Sequence, residues 1–513
     1  MTVELPHVAL VRGPIVSSLN ALNNEATPAL GIAYLAGYLI KKGYRVSIVD
    51  AVAEGLNRMW APEGYGGYHC QGLNFDETVA AIPPDVDVIG FSTMFSGEWP
   101  VHRDLIRHVR RRFPKALFVA GGEHATCLAE YSLADCQALD VVVSGEGEHS
   151  LFETIEAWRS GVGFAAISGV AYRGADGCAI ANGGLPRIRD VSTIPWPHWP
   201  EGYLEKFWAA GKSYGTLSER DMPIMASRGC PYRCTFCSSA QMWTTRYILR
   251  EVDEVIAEIE HYIAKYRITS LQFYDLTAIT KKRWTIEFCR GLVERGIKLK
   301  WSLPSGTRSE ALDAETLAHL KATGCDYLAF IPESGSEETL VKIKKKLSLK
   351  NITASALEAK RLGMTLRTNL IIGFPHEDRS HVFDTLRYGL KMAAKGIDEV
   401  VINIFSPYPG TEIFNELFKA GKVTLNDAYF LGLTSLNSDY TSVNPMSVNP
   451  VLGARELAFY RLAFVLLGYV IGYLLYPSRI IRTIRNLQPG STSADTVLEH
   501  RLRDMIGRKR VAN

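Results

Sequence analysis

Residues 228–237 read Arg-Gly-Cys-Pro-Tyr-Arg-Cys-Thr-Phe-Cys and follow the apolar run Pro223–Ser227. They place Cys230, Cys234 and Cys237 in C-x3-C-x2-C spacing on one short loop. Three thiolates so placed can bind three irons of a [4Fe–4S] cluster and leave the fourth iron open to another ligand. Zinc is the alternative, but it needs four ligands or three plus water, and no second Cys or His pair follows at the usual spacing. The spacing therefore favours the cluster.

Strands and helices alternate after this loop, between residues 222 and 420. The β-rich runs predict strands at Pro223–Ser227, Ser270–Tyr274, Lys300–Leu303, Tyr327–Ile331, Leu366–Ile372 and Glu399–Phe405. Helical periodicity predicts helices at Val252–Lys265, Arg283–Arg295, Ala314–Ala322, Ile352–Leu362 and His381–Lys395. About six βα units are too few for a closed eight-stranded barrel. They predict an open, partial barrel whose functional groups lie at the carboxyl ends of its strands.

The first 175 residues show the same alternation. Strands are predicted at Val8–Val11, Arg45–Asp50, Val86–Ser92, Leu117–Ala120, Val141–Ser144 and Gly169–Arg173. Helices are predicted between them at Gly31–Lys42, Val101–Phe113 and Ser150–Arg159. The fold class is therefore α/β, with residues 1–175 forming a doubly wound, Rossmann-like parallel sheet.

Two other regions differ from these α/β patterns. Residues 176–221 are loop-like, with prolines and tryptophans alternating near residue 197, and we interpret them as a linker. Residues 421–513 form a mostly helical C-terminal region containing the apolar stretch Leu457–Tyr476, whose only charged residue is Arg461. Twenty residues are long enough to span a bilayer. The internal arginine and two glycines favour a buried packing helix, while membrane-surface contact and a true span stay open.

Composition excludes several classes of protein. Lys and Arg total 57 against 54 Asp and Glu, a net charge of +3, which argues against a dedicated nucleic-acid-binding protein. Nine cysteines in 513 residues are too few for a disulfide scaffold. Residues 1–7 lack a basic segment before an apolar one, so we expect no secretory signal and a cytoplasmic location.

The cysteine segment resembles the signature of the radical SAM superfamily, with Phe236 as the aromatic residue before the third cysteine. Later strand ends agree with the family in order: Phe273–Thr280, Ile331–Ser336, Leu370–Pro375 and Ser406–Thr411 resemble its segments after the second, fourth, fifth and sixth strands. Ile331 and Asn369 stand where the family has glycine. The resemblance covers about residues 5–420.

This resemblance implies that the three cysteines hold a [4Fe–4S] cluster and that S-adenosylmethionine (SAM) binds its open iron. It implies that Asp275 contacts the SAM amino group, that Glu333 reaches the methionine moiety or ribose, and that Ile371 packs on adenine. The implied SAM-binding residues are, in full, Phe236, Asp275, Glu333, Ser334, Ile371 and Gly373.

The N-terminal sheet resembles cobalamin-binding domains in residues 50–55, 92–94 and 121–122. Val52 stands where those domains carry the cobalt-binding histidine, so the chain resembles the cobalamin-dependent radical SAM proteins, in which no protein histidine binds the lower face of cobalt. The implied cobalamin-binding residues are Thr27, Leu30, Gly31, Ser92, Thr93, Gly121, Gly122, Glu123, Gly145, Glu146 and Gly147. Gly121–Glu123 also resembles a SAM-binding G-G-E segment, and a plain flavodoxin-like sheet is the alternative for the domain.

The implied activity is reductive cleavage of SAM and abstraction of hydrogen from an unactivated carbon. Methyl transfer through cobalamin is the commoner outcome in this class, and we favour it. The alternative is an oxidative cyclase or rearrangement enzyme acting on a hydrophobic or tetrapyrrole substrate, like the anaerobic magnesium-protoporphyrin monomethyl ester cyclases. A methylthiotransferase acting on tRNA and a non-catalytic cluster protein are more remote.

The partners that we expect follow from this chemistry and from the apolar C-terminal stretch. They are a small, hydrophobic substrate and an external one-electron reductant of the flavodoxin or ferredoxin type. We expect no nucleic acid, and we include peripheral membrane contact through residues 457–485.

Overall fold

The structure is a computed structural model that describes residues 5–19, 21, 26–213, 218–307, 311–438, 446–488, 494–496 and 498–503. Its strands are β1 (His7–Arg12), β2 (Ile15–Ser18), β3 (Arg45–Asp50), β4 (Met59–Trp60), β5 (Tyr68–Gln71), β6 (Val88–Ser92), β7 (Leu117–Gly121), β8 (Val141–Val143), β9 (Val170–Arg173), β10 (Ala179–Ala181), β11 (Asp221–Ile224), β12 (Ser227–Arg228), β13 (Ile248–Leu249), β14 (Ser270–Phe273), β15 (Lys300–Thr307), β16 (Cys325–Glu333), β17 (Thr365–Ile372) and β18 (Glu399–Ile404).

Its helices are α1 (Leu30–Lys41), α2 (Ala51–Glu54), α3 (Phe75–Ala81), α4 (Trp99–Arg112), α5 (Glu123–Cys127), α6 (Ala129–Asp135), α7 (Gly147–Ser160), α8 (Tyr203–Ala209), α9 (Ser239–Trp243), α10 (Val252–Tyr266), α11 (Lys282–Glu294), α12 (Ala314–Ala322), α13 (Glu337–Lys342), α14 (Leu349–Arg361), α15 (Arg379–Ala394), α16 (Glu412–Lys419), α17 (Asp427–Ser438), α18 (Ala454–Leu475) and α19 (Ser478–Asn486). The predicted α/β fold is confirmed: two large sheets carry most of the strands.

The N-terminal sheet has the strand order β10-β9-β8-β7-β6-β1-β3. Five neighbouring strands of this sheet are parallel, as predicted: β3, β1, β6, β7 and β8. The final predicted strand, β9, instead pairs antiparallel with β8, and β10 adds a hairpin at the edge. The turn of this hairpin carries Asp176-Gly177, a dipeptide typical of hairpin turns. The predicted linker of residues 176–221 therefore includes β10 and helix α8 and is not loop throughout.

A small antiparallel sheet, β2-β5-β4, was not predicted. Its strands have two to four residues, which is too short for periodicity to identify. It packs against α17, a helix of the C-terminal region, and Leu431 of α17 joins Val16 and Cys70 in one apolar cluster. Arg103 of α4 also donates to both carboxylate oxygens of Asp427 at 2.8 and 2.9 Å. The C-terminal region is thereby attached to the N-terminal domain.

The second sheet is the predicted partial barrel, with the order β11-β14-β15-β16-β17-β18 and parallel pairing throughout. Helices α10 to α12, α14 and α15 connect its strands, as the sequence periodicity predicts. Parallel pairing brings the carboxyl ends of all six strands to one edge. The cysteine loop follows β11 and β12 at this edge.

Helix α18 contains the apolar stretch whose role the sequence left open. It packs across α15 and β18 through one face that includes Leu457, Arg461 and Phe464. Its most apolar window is only 28% buried, so it is not an enclosed core helix. In the described part of the chain it is the one helix whose length and composition would allow a membrane crossing.

Candidate active site

The cysteine loop is held by backbone contacts on both sides. Ser227 and Arg228 pair with the short strand β13. Gly229 has a φ of +90°, and a Cβ atom there would lie 2.3 Å from the Arg246 carbonyl oxygen, so this position requires glycine. Thr235 donates its amide to the Ile343 carbonyl and accepts the amide of Ile413. The loop is therefore fixed between the end of α13 and the start of α16.

The three cysteines of the loop fit an iron–sulfur cluster better than a single metal ion. All three are partly buried, and none of the nine cysteines, all of which are described, forms a disulfide. No group of three His, Cys, Asp or Glu side chains in the described residues converges on one ion position. A cube that offers a separate iron to each thiolate needs no such convergence. Burial raises the pKa of Cys237 to about 11, so bound iron must supply the positive charge that makes this thiol a thiolate.

Asp275 connects the end of β14 to the start of the cysteine loop. Its carboxylate accepts the backbone amide of Ala226 at 3.1 Å and the hydroxyl of Ser227. It is fully buried, and this burial raises its pKa to about 6. In the structure Asp275 therefore positions the segment that leads to the cysteines, and its contact with the SAM amino group stays a prediction.

Glu333 has a strained backbone at the end of β16. Its φ of +72° is rare for a residue with a side chain, and such strain is concentrated at functional sites. Lys345 donates to Glu333 at 2.9 Å and lies 6.0 Å from the ring centre of Phe236 in the cysteine loop. Sequence analysis did not select Lys345, whose only signal was its position twelve residues after Glu333. The neighbouring Ser334 is buried and hydrogen-bonds Thr385 at 2.9 Å.

The end of β17 brings Ile371 and Gly373 to the same edge. Gly373 has a φ of +88°, and its amide donates to Glu377 at 2.7 Å. Phe374 packs edge-on against Phe236 with ring centres 5.7 Å apart. The segment is thus in contact with the cysteine loop, but Gly373 is already used by its own turn. The SAM-binding roles of Ile371 and Gly373 stay predictions.

Glycine and backbone groups form much of the carboxyl edge of the N-terminal sheet. Gly122 has a φ of +115°, and a Cβ atom there would meet the Thr93 carbonyl oxygen at 2.8 Å. Thr93 bridges β6 to β7 through the Gly121 carbonyl, at 2.8 Å from its amide and 3.1 Å from its hydroxyl. Ser92 lies directly before Thr93. A Cβ atom at Gly121 would lie 3.6 Å from the Val143 carbonyl oxygen, which is an ordinary van der Waals contact. The predicted residues of β6 and β7 are therefore adjacent.

The remaining predicted cobalamin residues lie at the starts of two helices. Gly31, next to Leu30, has open space where a side chain would project. The Thr27 carbonyl accepts a hydrogen bond from Arg12 at 2.7 Å. Gly145 has a φ of +75° and contacts Leu185 of the linker. Gly147 begins α7 and packs on Leu35 of α1. All eleven predicted residues thus lie at or next to the carboxyl edge.

The loop after β3 is covered in this structure. Val52 is fully buried, and Asp50 caps its amide at 2.9 Å. Tyr203 of α8 donates to Asp50 at 2.6 Å and closes the loop from the linker side. Residues 50–55 therefore resemble a cobalt-facing loop in sequence only, because packed side chains cover the surface of this loop.

The two carboxyl edges contact each other through charged and polar side chains. Glu123 accepts the hydroxyl of Ser238, which follows the last cysteine. Arg228, two residues before Cys230, donates to Glu146 at 3.0 Å and to Glu148 at 2.6 Å. Its side chain and both carboxylates are at least 93% buried. The predicted cobalamin loop and the cysteine loop therefore belong to one interface.

Three large apolar side chains stay exposed at these edges. Met94 and Phe95 follow Thr93 and are 39% and 61% exposed, and Leu276 follows Asp275 and is 40% exposed. Apolar groups left uncovered in a functional region indicate a surface that a ligand covers. Sequence analysis did not assign them, although each directly follows a residue of a recognised strand-end motif.

Comparisons with known proteins agree with this arrangement. Residues 224–389 match the radical SAM superfamily, and residues 24–154 match the B12-binding domain. The chain therefore carries both of the domains that cobalamin-dependent radical SAM enzymes combine. The cofactors of this class are a [4Fe–4S] cluster, SAM and cobalamin, and they are those the sequence predicted.

Named relatives of this cobalamin-dependent radical SAM protein include methyltransferases and a cyclase. An uncharacterized methyltransferase of Pyrococcus horikoshii is 26% identical over 93% of this chain and 94% of its own. Cytidylyl-2-hydroxyethylphosphonate methyltransferase of Streptomyces wedmorensis is 27% identical, over 79% and 80%. The anaerobic magnesium-protoporphyrin IX monomethyl ester cyclase of Rubrivivax gelatinosus is 25% identical, over 76% and 66%.

A solved structure shares the fold. The radical SAM methyltransferase TsrM from Kitasatospora setae, with tryptophan and a SAM analogue bound, matches with a TM-score of 0.61. The match has 17% sequence identity and covers 81% of this chain and 76% of that one.

A cavity of about 720 Å³ lies at the opposite, amino-terminal end of the barrel. It is lined by Asp221, Gln272, Lys300 and Tyr327, among others. In parallel α/β sheets the chemistry takes place at the carboxyl ends of the strands. We therefore do not assign the reaction to this cavity.

Proposed function

We propose that this enzyme transfers a methyl group from SAM, through cobalamin, to an unactivated carbon of a small, largely apolar substrate. The observation that carries the proposal is the buried contact of Arg228 with Glu146 and Glu148, which joins the cysteine loop to the B12-binding domain. When bound, the cluster supplies the electron that cleaves SAM, and cobalamin carries the methyl group. Both methyltransferase relatives support this outcome.

The chain's own residues prepare the site for this chemistry. Cys230, Cys234 and Cys237 hold the cluster at the barrel mouth, and Asp275 fixes the strand that leads to them. The Glu333–Lys345 pair lies beside Phe236, where it would orient the polar part of SAM. Packing of the two edges against each other would exclude water and so prevent side reactions, while the position of the substrate between them would determine which carbon reacts.

A single-turnover experiment tests methyl transfer without knowledge of the substrate. The anaerobic protein is loaded with cluster and cobalamin, reduced, and given SAM in small excess. A methyltransferase should form about one S-adenosylhomocysteine per bound cobalamin. Formation of 5′-deoxyadenosine with no S-adenosylhomocysteine would contradict the proposal and favour the oxidative cyclase represented by the Rubrivivax relative.

The apolar face of α18 supports peripheral membrane contact. Phe459, Leu462, Leu466, Val470 and Leu474 repeat every three or four residues and are 46% to 75% exposed. On the neighbouring α19, the isoleucines at 480, 481 and 484 are also exposed, and arginines at 455 and 485 flank the two-helix surface. An apolar stripe flanked by cations fits an anionic lipid surface. The buried opposite face fixes α18 to the protein, so this helix lies along the membrane and does not cross it.

Vesicle sedimentation tests this contact. The protein should sediment with vesicles of phosphatidylcholine and phosphatidylglycerol, and the double variant Leu466→Glu/Val470→Glu should stay in the supernatant. Val162→Glu, a change at an even more exposed apolar residue in the N-terminal domain, serves as the control. Equal sedimentation of all three proteins would contradict the proposal.

An external one-electron reductant of the flavodoxin or ferredoxin type completes the reaction. The chain's single recognised cluster motif has no second cysteine group in sequence to act as an internal relay. The protein should form 5′-deoxyadenosine with a reduced flavodoxin system as well as with dithionite. Activity with dithionite alone would contradict this partner class.

A further inference from the structure

Arg187, in the linker between the two domains, has an unusual environment. Its side chain is 94% buried, and its Nε donates to Glu146 at 2.7 Å. Both terminal nitrogens, Nη1 and Nη2, are buried, and no residue that the structure describes accepts a hydrogen bond from either of them. A buried donor without an acceptor costs about 1–3 kcal/mol, and more when it is charged. Four N–H groups in this state need acceptors that the described protein atoms do not supply.

The place of Arg187 identifies which ligand this is. Its Nη1 would lie 3.2 Å from a Cβ atom at Gly229, so it contacts the cysteine loop directly. Its guanidinium also lies 5.5 Å from the ring centre of Trp243. Glu146, which holds its Nε, is a predicted cobalamin-binding residue and also accepts the Ile188 amide at 2.7 Å. The unpaired nitrogens are therefore fixed between the B12-binding loop and the cluster loop.

The charges of the side chains around Arg187 indicate the kind of acceptor. Arg187 and Arg228 carry two positive charges, and Glu146 and Glu148 carry two negative charges within the same buried group. An added anion would leave an uncompensated charge in a buried place, which is costly. A neutral carbonyl oxygen accepts from a guanidinium without that cost. The site thus fits carboxamide oxygens better than a phosphate or carboxylate.

We propose that Arg187 is a cofactor-positioning residue whose two Nη groups donate to carboxamide oxygens on the rim of the cobalamin corrin ring. The inference rests on the cobalamin assignment and not on methyl transfer. It places the corrin against the linker side of the interface, with Glu146 orienting the guanidinium. No part of it depends on the identity of the substrate.

Equilibrium binding to the cluster-loaded protein tests the inference, with hydroxocobalamin and dicyanocobinamide as the two probes. Cobinamide keeps the rim carboxamides but lacks the nucleotide tail and its phosphate. Arg187→Met should bind both probes at least tenfold more weakly than the unchanged protein. Arg189→Met, a change at an exposed arginine of the same linker, should bind both with unchanged affinity.

Arg187→Lys addresses the risk that Arg187→Met does not fold. Lysine keeps a charge beside Glu146 but lacks the planar fork, so this variant should fold, retain its iron, and bind both probes less tightly. Affinity within twofold of the unchanged protein for both Arg187 variants would overturn the inference. Weaker binding of cobalamin alone, with cobinamide unaffected, would also overturn it, because the contact would then be to the nucleotide tail. Failure of methyl transfer would leave this binding result intact.

Discussion

The carboxyl edge of the N-terminal sheet and the carboxyl edge of the barrel face each other but are built from different groups. The sheet edge consists largely of backbone and of glycines such as Gly122, whose backbone only glycine adopts without strain. The barrel edge carries side chains with specific chemistry: three thiols, Asp275 and the Glu333–Lys345 pair. The sheet edge is thus suited to accommodate a bulky cofactor by shape, and the barrel edge to bind and activate a small one by chemistry.

Removal of one thiol should have the largest effect and should affect only the barrel. Cys234→Ala should lose most of its iron and sulfide and all SAM cleavage, because the cube needs all three thiolates. Cobalamin binding should persist, since its predicted residues lie on the other edge. Metal analysis, 5′-deoxyadenosine yield and bound corrinoid measure these outcomes. Cys178→Ala, at an exposed cysteine, is the control, and an intact cluster in Cys234→Ala would refute the assignment.

A side chain at Gly122 should produce the converse effect. Gly122→Ala should weaken cobalamin binding about tenfold or more, because its Cβ atom would displace the Thr93 carbonyl and reshape the edge. The iron content should stay unchanged. Gly161→Ala is the matched control, because it also has a positive φ but has open space around it. Equal cobalamin affinity in both variants would show that this edge does not bind the cofactor.

Loss of the Lys345 ammonium should have an intermediate effect on the barrel edge. Lys345→Met should raise the KM for SAM about tenfold, since Glu333 would lose the partner at 2.9 Å that holds it beside the cysteine loop. Cluster content should not change. Lys344→Met, which removes an exposed pair with Glu412, should leave the KM unchanged. Identical SAM kinetics for both variants would exclude Lys345 from the SAM site.

A substitution at the amino-terminal end of the barrel should change the stability of the protein and leave cofactor binding unchanged. Burial raises the pKa of Asp221 to about 7, while an unfolded chain releases this proton near pH 3.9. The folded state therefore binds more protons between these pH values, and its stability falls as pH rises through this window. Asp221→Asn should flatten this part of the stability profile, as measured by denaturant unfolding at several pH values. A slope that does not change would show that Asp221 titrates normally.

Sequence patterns predicted the parts of the fold that are long and periodic. The parallel strands of both sheets and the helices between them lie close to their predicted places, because alternating apolar runs fix them. The sheet β2-β5-β4 and the antiparallel β9 depend on long-range pairing, which local periodicity does not contain. The packing of α17 on the N-terminal domain, through Arg103 and Asp427, is likewise a tertiary contact.

The candidate site was predictable where a motif encodes it. The three cysteines and the strand-end residues stand out by spacing and order, and their assignment to specific ligand atoms stays a prediction. Lys345, Arg187 and the exposed Phe95 could not be found in this way, because their significance comes from neighbours distant in sequence. Residues 176–221 were predicted to be a linker that packs through its aromatic residues, and the structure adds a charged contact from this segment, between Arg187 and Glu146.

Anaerobic reconstitution tests most directly the claim that two facing edges hold two cofactors. The protein is loaded with iron, sulfide and cobalamin, reduced and given SAM, and 5′-deoxyadenosine and bound corrinoid are measured in the same sample. The account predicts SAM cleavage together with about one corrinoid per chain, and it predicts that Gly122→Ala loses corrinoid while it keeps SAM cleavage. SAM cleavage with no bound corrinoid in the unchanged protein would contradict the account.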